Sequence, residues 1–265
     1  MIISASRRTD IPAHHSEWIL EKIRERHVFV KNPMNPLQIR KVDLEPDNVD
    51  SIVFWSKNPK PMLDKLEYFN EYNYYFQFTL NPYDNDIEKH LPPKNEIIDT
   101  FISLSDKIGA HRVIWRYDPV LLNGRYSTAW HMDKFNELAN QLSGYTEKVI
   151  FSYIDFYKKI SARTASLGIM DTSMEEKLVL AESFSKSAVE NSLFIETCAE
   201  GIDLSMYNIG HAKCIDGALI AKITGKDISA GKDKNQRPEC GCIKSIDIGE
   251  YNSCSNGCIY CYASK

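Results

Sequence analysis

Arg112-Val-Ile-Trp-Arg-Tyr117, then Thr128-Ala-Trp-His-Met-Asp-Lys-Phe-Asn-Glu-Leu-Ala-Asn-Gln-Leu142, then Val149-Ile-Phe-Ser-Tyr-Ile154 is the stretch that decides the fold. The outer runs are short and rich in β-branched and aromatic residues, which reads as two strands. Between them Met132, Phe135, Leu138, Ala139 and Leu142 share one helical face, and Ser143-Gly144 supplies a stop. Strand, helix and strand in this order make a βαβ unit, and its strands run parallel.

The same rhythm continues in both directions. Further strands are expected at Ile2–Ser6, Ile52–Ser56, Tyr74–Leu80 and Leu193–Thr197. Helices are expected at His14–Arg26, Pro61–Tyr72, Asn95–Ile108 and Met174–Glu190, the last with Ser173 and Glu176 as a capping box. Residues 28–44, with prolines at 33 and 36, read as an extended insertion after the first helix. Six such units predict an α/β fold of the full or partial (β/α) TIM-like barrel kind, with residues 1–265 as one domain and 198–265 as its cysteine-rich part. A doubly wound sheet would give the same alternation, but no glycine-rich dinucleotide or phosphate fingerprint supports it. Either way, ligands would bind at the carboxyl ends of the strands. The segments that follow the strands are polar: Ser6-Arg7-Arg8-Thr9-Asp10, Lys57-Asn58-Pro59, Asn81-Pro82-Tyr83, Arg116-Tyr117-Asp118-Pro119 and Asp155-Phe156-Tyr157, with Glu196-Thr197-Cys198 closing the sixth.

Composition narrows the function classes. With 43% hydrophobic residues in 265, the chain can bury a substantial core. The N-terminus lacks the apolar stretch of a signal peptide and no segment reaches membrane-span length, so a cytoplasmic protein with no membrane partner is expected. A net charge of −4 gives no global basic footprint, leaving nucleic acid possible but unsupported as a partner. Seven cysteines cannot all pair within the chain, and in a reducing compartment clustered thiols read as metal ligands before disulfides.

Five of the seven cysteines lie from residue 240 onward, and three spell Cys254-Ser-Asn-Gly-Cys258-Ile-Tyr-Cys261. Four thiolates close a 4Fe–4S cubane, so three leave one iron open to substrate. Cys-x3-Cys-x2-Cys with aromatic Tyr260 before the last cysteine resembles the signature of radical S-adenosylmethionine (SAM) enzymes. The wider run 251–263, ending Cys261-Tyr262-Ala263, is similar to that of spore photoproduct lyase and its relatives. Those enzymes carry the motif after the first barrel strand. If residues 242–248 form a strand, residues 253–261 are the loop after it, and the arrangement is a circular permutation with the first strand placed last. The whole chain also resembles a bacterial domain-of-unknown-function family with a radical-SAM-like cysteine cluster at its C-terminus.

The resemblance implies that Cys254, Cys258 and Cys261 each ligate one iron and that SAM chelates the fourth. It also implies reductive cleavage of SAM, hydrogen abstraction from a small-molecule or unknown substrate, and a reducing partner such as flavodoxin or ferredoxin. Arg7, Arg8 and Asp10 would follow the strand beside the permuted first strand, where SAM's amino group binds. Arg116 could meet the SAM carboxylate, with Asp118 near the ribose or substrate; Glu196 and Lys57 are further candidates. The competing reading of these residues is an Arg–Asp network closing the barrel mouth. Four cysteines remain, Cys198, Cys214, Cys240 and Cys242, which is the number that closes a second 4Fe–4S cluster, with structural zinc or buried free thiols as alternatives. His14, His15 and His111 read as flanking residues rather than metal ligands. A protein of another class, a zinc-stabilised binding or regulatory module with a structural tail, is the alternative function.

Overall fold

The computed structural model describes residues 1–264. Its principal sheet has eight parallel strands. In chain order the strands of the protein are β1 (Ile2–Ala5), β2 (His27–Asn32), β3 (Asn35–Asp43), β4 (Ser51–Ser56), β5 (Tyr74–Thr79), β6 (Val113–Val120), β7 (Lys148–Tyr153), β8 (Phe194–Thr197), β9 (Gly210–His211) and β10 (Ile246–Asp247). The sheet order is β10-β1-β4-β5-β6-β7-β8-β9, so the last strand pairs with the first through Ile3↔Ile246 and Ser4↔Asp247. β2 and β3 form a separate antiparallel hairpin, which is the extended insertion expected from its prolines.

The helices are α1 (Ile11–His14), α2 (Ser16–Glu25), α3 (Lys94–Ile108), α4 (Thr128–Leu142), α5 (Ser161–Ala165), α6 (Met174–Glu190) and α7 (Gly217–Thr224). α4 and α6 have the expected limits, and Ser173 and Glu176 close the capping box at α6. Two expectations need correction. The helix expected over 14–26 begins at Ser16 as α2, because the His15 backbone (φ −133°) leaves the helical range, and a separate single turn, α1, precedes it. The segment predicted as a helix over 61–72 is a 3-10 helix over Lys60–Phe69, where Pro59 and Pro61 bring no N–H to the first turn.

Successive side chains of a strand point to opposite faces, and here the two faces have different tasks. Ile3, Ala5, Phe54, Phe76, Phe78, Trp115, Tyr117, Phe151 and Ile195 are buried in one cluster with Ile19 and Ile23 of α2, Phe101 of α3, Phe135 of α4 and Phe184 of α6. The other face carries Ile2, Val53, Tyr75, Ile114 and Ile150, which pack against Ile215, Ile220 of α7, Cys214, Cys240 and Cys242. Strand register puts Ser4, Asp247, Trp55, Gln77, Arg116 and Glu196 on this second face as well. The helices that follow β1, β5, β6 and β7 thus cover one face. The polar strand-end groups and the four upstream cysteines occupy the other.

Candidate active site at the carboxyl ends of the strands

The loop after β10 carries the three-cysteine motif, and the chain that holds it comes from the opposite end of the sequence. Of the stretch 242–248 expected as a strand, Ile246–Asp247 pairs with β1. Asp247 fixes that pairing: its carboxylate accepts from Ser4 Oγ (2.9 Å), Ser6 Oγ (2.5 Å), Arg7 N (2.9 Å) and Gly249 N (3.0 Å). Gly249 is required by proximity, since a Cβ there would meet Ser6 Oγ at 2.2 Å.

Asp10, at the N-terminus of α1, is the second anchor. Oδ1 accepts from Ala13 N (3.0 Å) and Ser56 Oγ (2.7 Å), and Oδ2 from Lys57 N (2.8 Å) and Asn256 Nδ2 (3.0 Å). The carboxylate therefore joins the ends of β1 and β4 to the middle of the cysteine loop. Asn256 Oδ1 meets His14 Nε2 at 2.8 Å, and His15 Nε2 meets the Ser253 carbonyl at 2.9 Å. On the far side of the loop, His90 Nδ1 meets Ser255 O (2.7 Å), His90 N donates to Asn256 O (3.1 Å) and Ile259 N donates to Ile87 O (3.0 Å). These anchors are three backbone carbonyls, one backbone N–H and the Asn256 side chain.

Glu88 lies beneath this loop, 1% exposed, with its backbone bridged to that of Cys258. It binds Lys57 Nζ (2.7 Å) and Lys94 Nζ (2.5 Å), and accepts hydrogen bonds from Tyr260 OH and from Asn81 Nδ2 (3.3 Å). Burial alone would raise its pKa, but the two lysines outweigh burial and hold it at about 2. Lys57 also stands 5.2 Å from the centre of the Tyr260 ring. Burial, helped by Glu88 and the two other motif cysteines, pushes the Cys258 thiol up to about 12 against the lowering effect of Lys57. The three thiols thus share one electrostatic neighbourhood. Cys258 is buried, and Cys254 and Cys261 are half-buried.

Arg116 and Asp118 extend the site across β6. Arg116 is 5% exposed and gives Nε (3.1 Å) and Nη2 to Asp118 Oδ2, and Nη1 to Gln77 Oε1 (3.3 Å) and Cys214 Sγ (2.9 Å). It therefore positions Asp118 and contacts the second cysteine group instead of presenting a free fork to a SAM carboxylate. Asp118 also accepts from Ser152 Oγ and keeps its side chain 25% exposed. Arg8 donates to Gly249 O (3.3 Å) and lies over the Tyr251 ring, while Glu196 pairs with Lys148 (2.9 Å).

Cys198, Cys214, Cys240 and Cys242 meet on the same face. Cys198 Sγ lies 3.4 Å from Cys214 Sγ, and Cys242 Sγ accepts from Ile215 N (3.3 Å). A hydrogen bond with Cys242 draws the Cys240 thiol down to about 7. Among the described residues, no three or more His, Cys, Asp or Glu side chains converge on a point that would hold a single metal ion.

The geometry brings Arg7, Arg8, Asp10, Arg116, Asp118, Tyr260 and the three motif cysteines to one end of the sheet. Sequence reasoning missed Glu88, Lys94, Asn256, Asp247 and the role of the paired histidines. The expectation that His14 and His15 flank an element holds for their positions, but both rings also grip the cysteine loop.

Together these features define a parallel α/β protein whose second strand face turns from apolar to polar toward the carboxyl ends of the strands, where the thiol-bearing loop is clamped. The chain belongs to the DUF1848 family, a domain of unknown function, whose model matches residues 2–263. No curated protein matches the chain. Among the described residues, no helix is long and apolar enough to cross a membrane.

Proposed function

We propose that the protein is a radical SAM-type enzyme on a permuted, barrel-like α/β scaffold. The observation that carries the reading is the pairing of β10 with β1, which sets the three-cysteine loop against the polar ends of β1 and β4. The donor set fits a three-thiolate 4Fe–4S centre. Three thiols share one loop, the loop is anchored through other atoms, and a cubane distributes its thiolates over separate irons, so no single point of convergence is needed. Cys254, Cys258 and Cys261 would hold the cluster. When bound, the cluster together with SAM supplies one-electron cleavage of a sulfonium carbon–sulfur bond.

The chain's own residues orient, neutralise and exclude water. Asp10 and Asn256 fix the loop's distance from β1. Lys57 places an ammonium beside Cys258, where it stabilises thiolate charge, and Glu88 holds that ammonium in place. Tyr260, hydrogen-bonded to Glu88 and Asn81, fills the floor. Asp118, oriented by Arg116 and Ser152, offers a carboxylate to a hydroxyl of SAM's ribose or of a substrate.

Anaerobically reconstituted protein should be brown and, once reduced, should convert SAM to 5′-deoxyadenosine without added substrate. Cys258→Ala should abolish the conversion. Colourless, zinc-loaded protein inert to SAM would remove this reading.

A further inference from the structure

The four cysteines upstream of the motif are flanked by two cations, Arg116, which also orients Asp118, and Arg7, which the site already described does not use. Arg116 is buried and places Nη1 2.9 Å from Cys214 Sγ. Arg7 follows β1 with its guanidinium 5.2 Å from the centre of the Trp55 ring. Its Nη2 is buried with no hydrogen-bond partner, and burial, which alone would lower its pKa, is outweighed by the neighbouring Cys242, Cys214, Asp247 and Cys240. Guanidinium stays protonated under all working conditions, and a buried cation needs an opposing charge. Asp118 supplies part of it for Arg116. Asp247 takes four hydrogen bonds from Ser4, Ser6, Arg7 N and Gly249 and stands 3.9 Å from Arg8, so it is shared widely.

Four thiolates held on a thiophilic metal centre would supply the remainder. Zn²⁺ with four thiolates and an oxidised 4Fe–4S cubane with four thiolates are both dianions. The surroundings are also those of a closed, structural centre. Tyr75 OH (2.6 Å) and Gln77 Nε2 (3.0 Å) both donate to the Cys214 carbonyl, and Gly241 between two of the cysteines approaches Lys213 so closely that a Cβ would lie 2.8 Å from its Cγ.

We infer that Cys198, Cys214, Cys240 and Cys242 bind a second metal centre as a dianionic tetrathiolate, with Arg7 and Arg116 as its counter-cations. The site is separate from the Cys254, Cys258 and Cys261 loop and stands or falls independently of SAM chemistry.

The test is metal and acid-labile sulfide quantitation on anaerobically reconstituted full-length protein carrying Cys254→Ala, Cys258→Ala and Cys261→Ala together. About four irons with matching sulfide, or about one zinc without sulfide, supports the site and tells the two sources apart. A triple variant that keeps the wild-type circular dichroism spectrum and urea transition but retains neither metal overturns it. As a check free of that folding question, Cys214→Ser with Cys242→Ser in the otherwise intact chain should remove the same metal complement. Unchanged metal content would overturn the assignment. Arg7→Gln in the triple variant should speed chelator extraction of the remaining metal about tenfold or more; an unchanged extraction rate would refute the counter-cation role.

Discussion

Asn256 Nδ2 donates to Asp10 Oδ2 at 3.0 Å across 246 positions of sequence, and this bond fastens the cysteine loop to the first strand's end. Asp10 answers four donors with two oxygens, all shielded from water, so its loss leaves several of them unpaired. Asp10→Ala should cost about 3 kcal/mol or more in urea denaturation, and reconstituted protein should lose iron from the motif. Asn256→Ala should cost less globally and release iron comparably. Equal iron retention by both variants and wild type would show that the anchor does not hold the loop.

Glu88 predicts a specific acid limb. Its folded pKa of about 2 lies below the ordinary 4.5, so its contribution is complete above the unfolded value and lost as pH falls from about 5 toward 2. The depression corresponds to about 3 kcal/mol. Glu88→Gln should be less stable at neutral pH and should flatten the stability curve over that window, measured as urea midpoints between pH 2 and 7. A variant that keeps the wild-type slope would place the acid sensitivity elsewhere.

Gly257, inside the motif, has φ +67°, and an added Cβ would stand 3.0 Å from His90 Nδ1 and 3.2 Å from Lys89 Cβ. Gly257→Ala should therefore strain the loop by about 1–2 kcal/mol and weaken iron retention. Gly124→Ala has open space and no positive φ, so it serves as the neutral control. Thermal melts and iron counts of the two variants distinguish a conformational demand from a general sensitivity to glycine replacement.

Arg116 is buried against Asp118, whose side chain is 25% exposed, and removing the guanidinium leaves that carboxylate without its cation. Arg116→Met should destabilise the fold by about 2–3 kcal/mol, and Arg116→Met with Asp118→Asn should recover part of that loss. A double variant no more stable than the single one would mean that the guanidinium matters through Cys214 and Gln77 alone.

Much of this architecture was legible because it is local. Runs such as Val149–Tyr153 and the face of Thr128–Leu142 carry their own periodicity, and the Ser173–Glu176 box needs only three residues. The spacing of the cysteine motif is local in the same way. The grip on it is not. Glu88 pairs with Tyr260 across 172 positions and His14 with Asn256 across 242, and no spacing rule connects such residues. β10 is only two residues long, too short for an alternation signal, and its place is fixed by Asp247 on Ser4 and Ser6. The hold of His14 and His15 escaped for a related reason: both rings meet the cysteine loop, and nothing in the local sequence sets that loop beside them.

The partnership of β10 with β1 also sets a timetable. During synthesis Ser4 waits for Asp247 until almost every other strand has emerged, and long-range pairings of this kind are the slow ones. The central strands can fold around their own helices first, so the motif thiols reach a nearly finished scaffold. Under the proposed function, metal loading at that loop would be a closing step of maturation, taken on a protein that already has its shape.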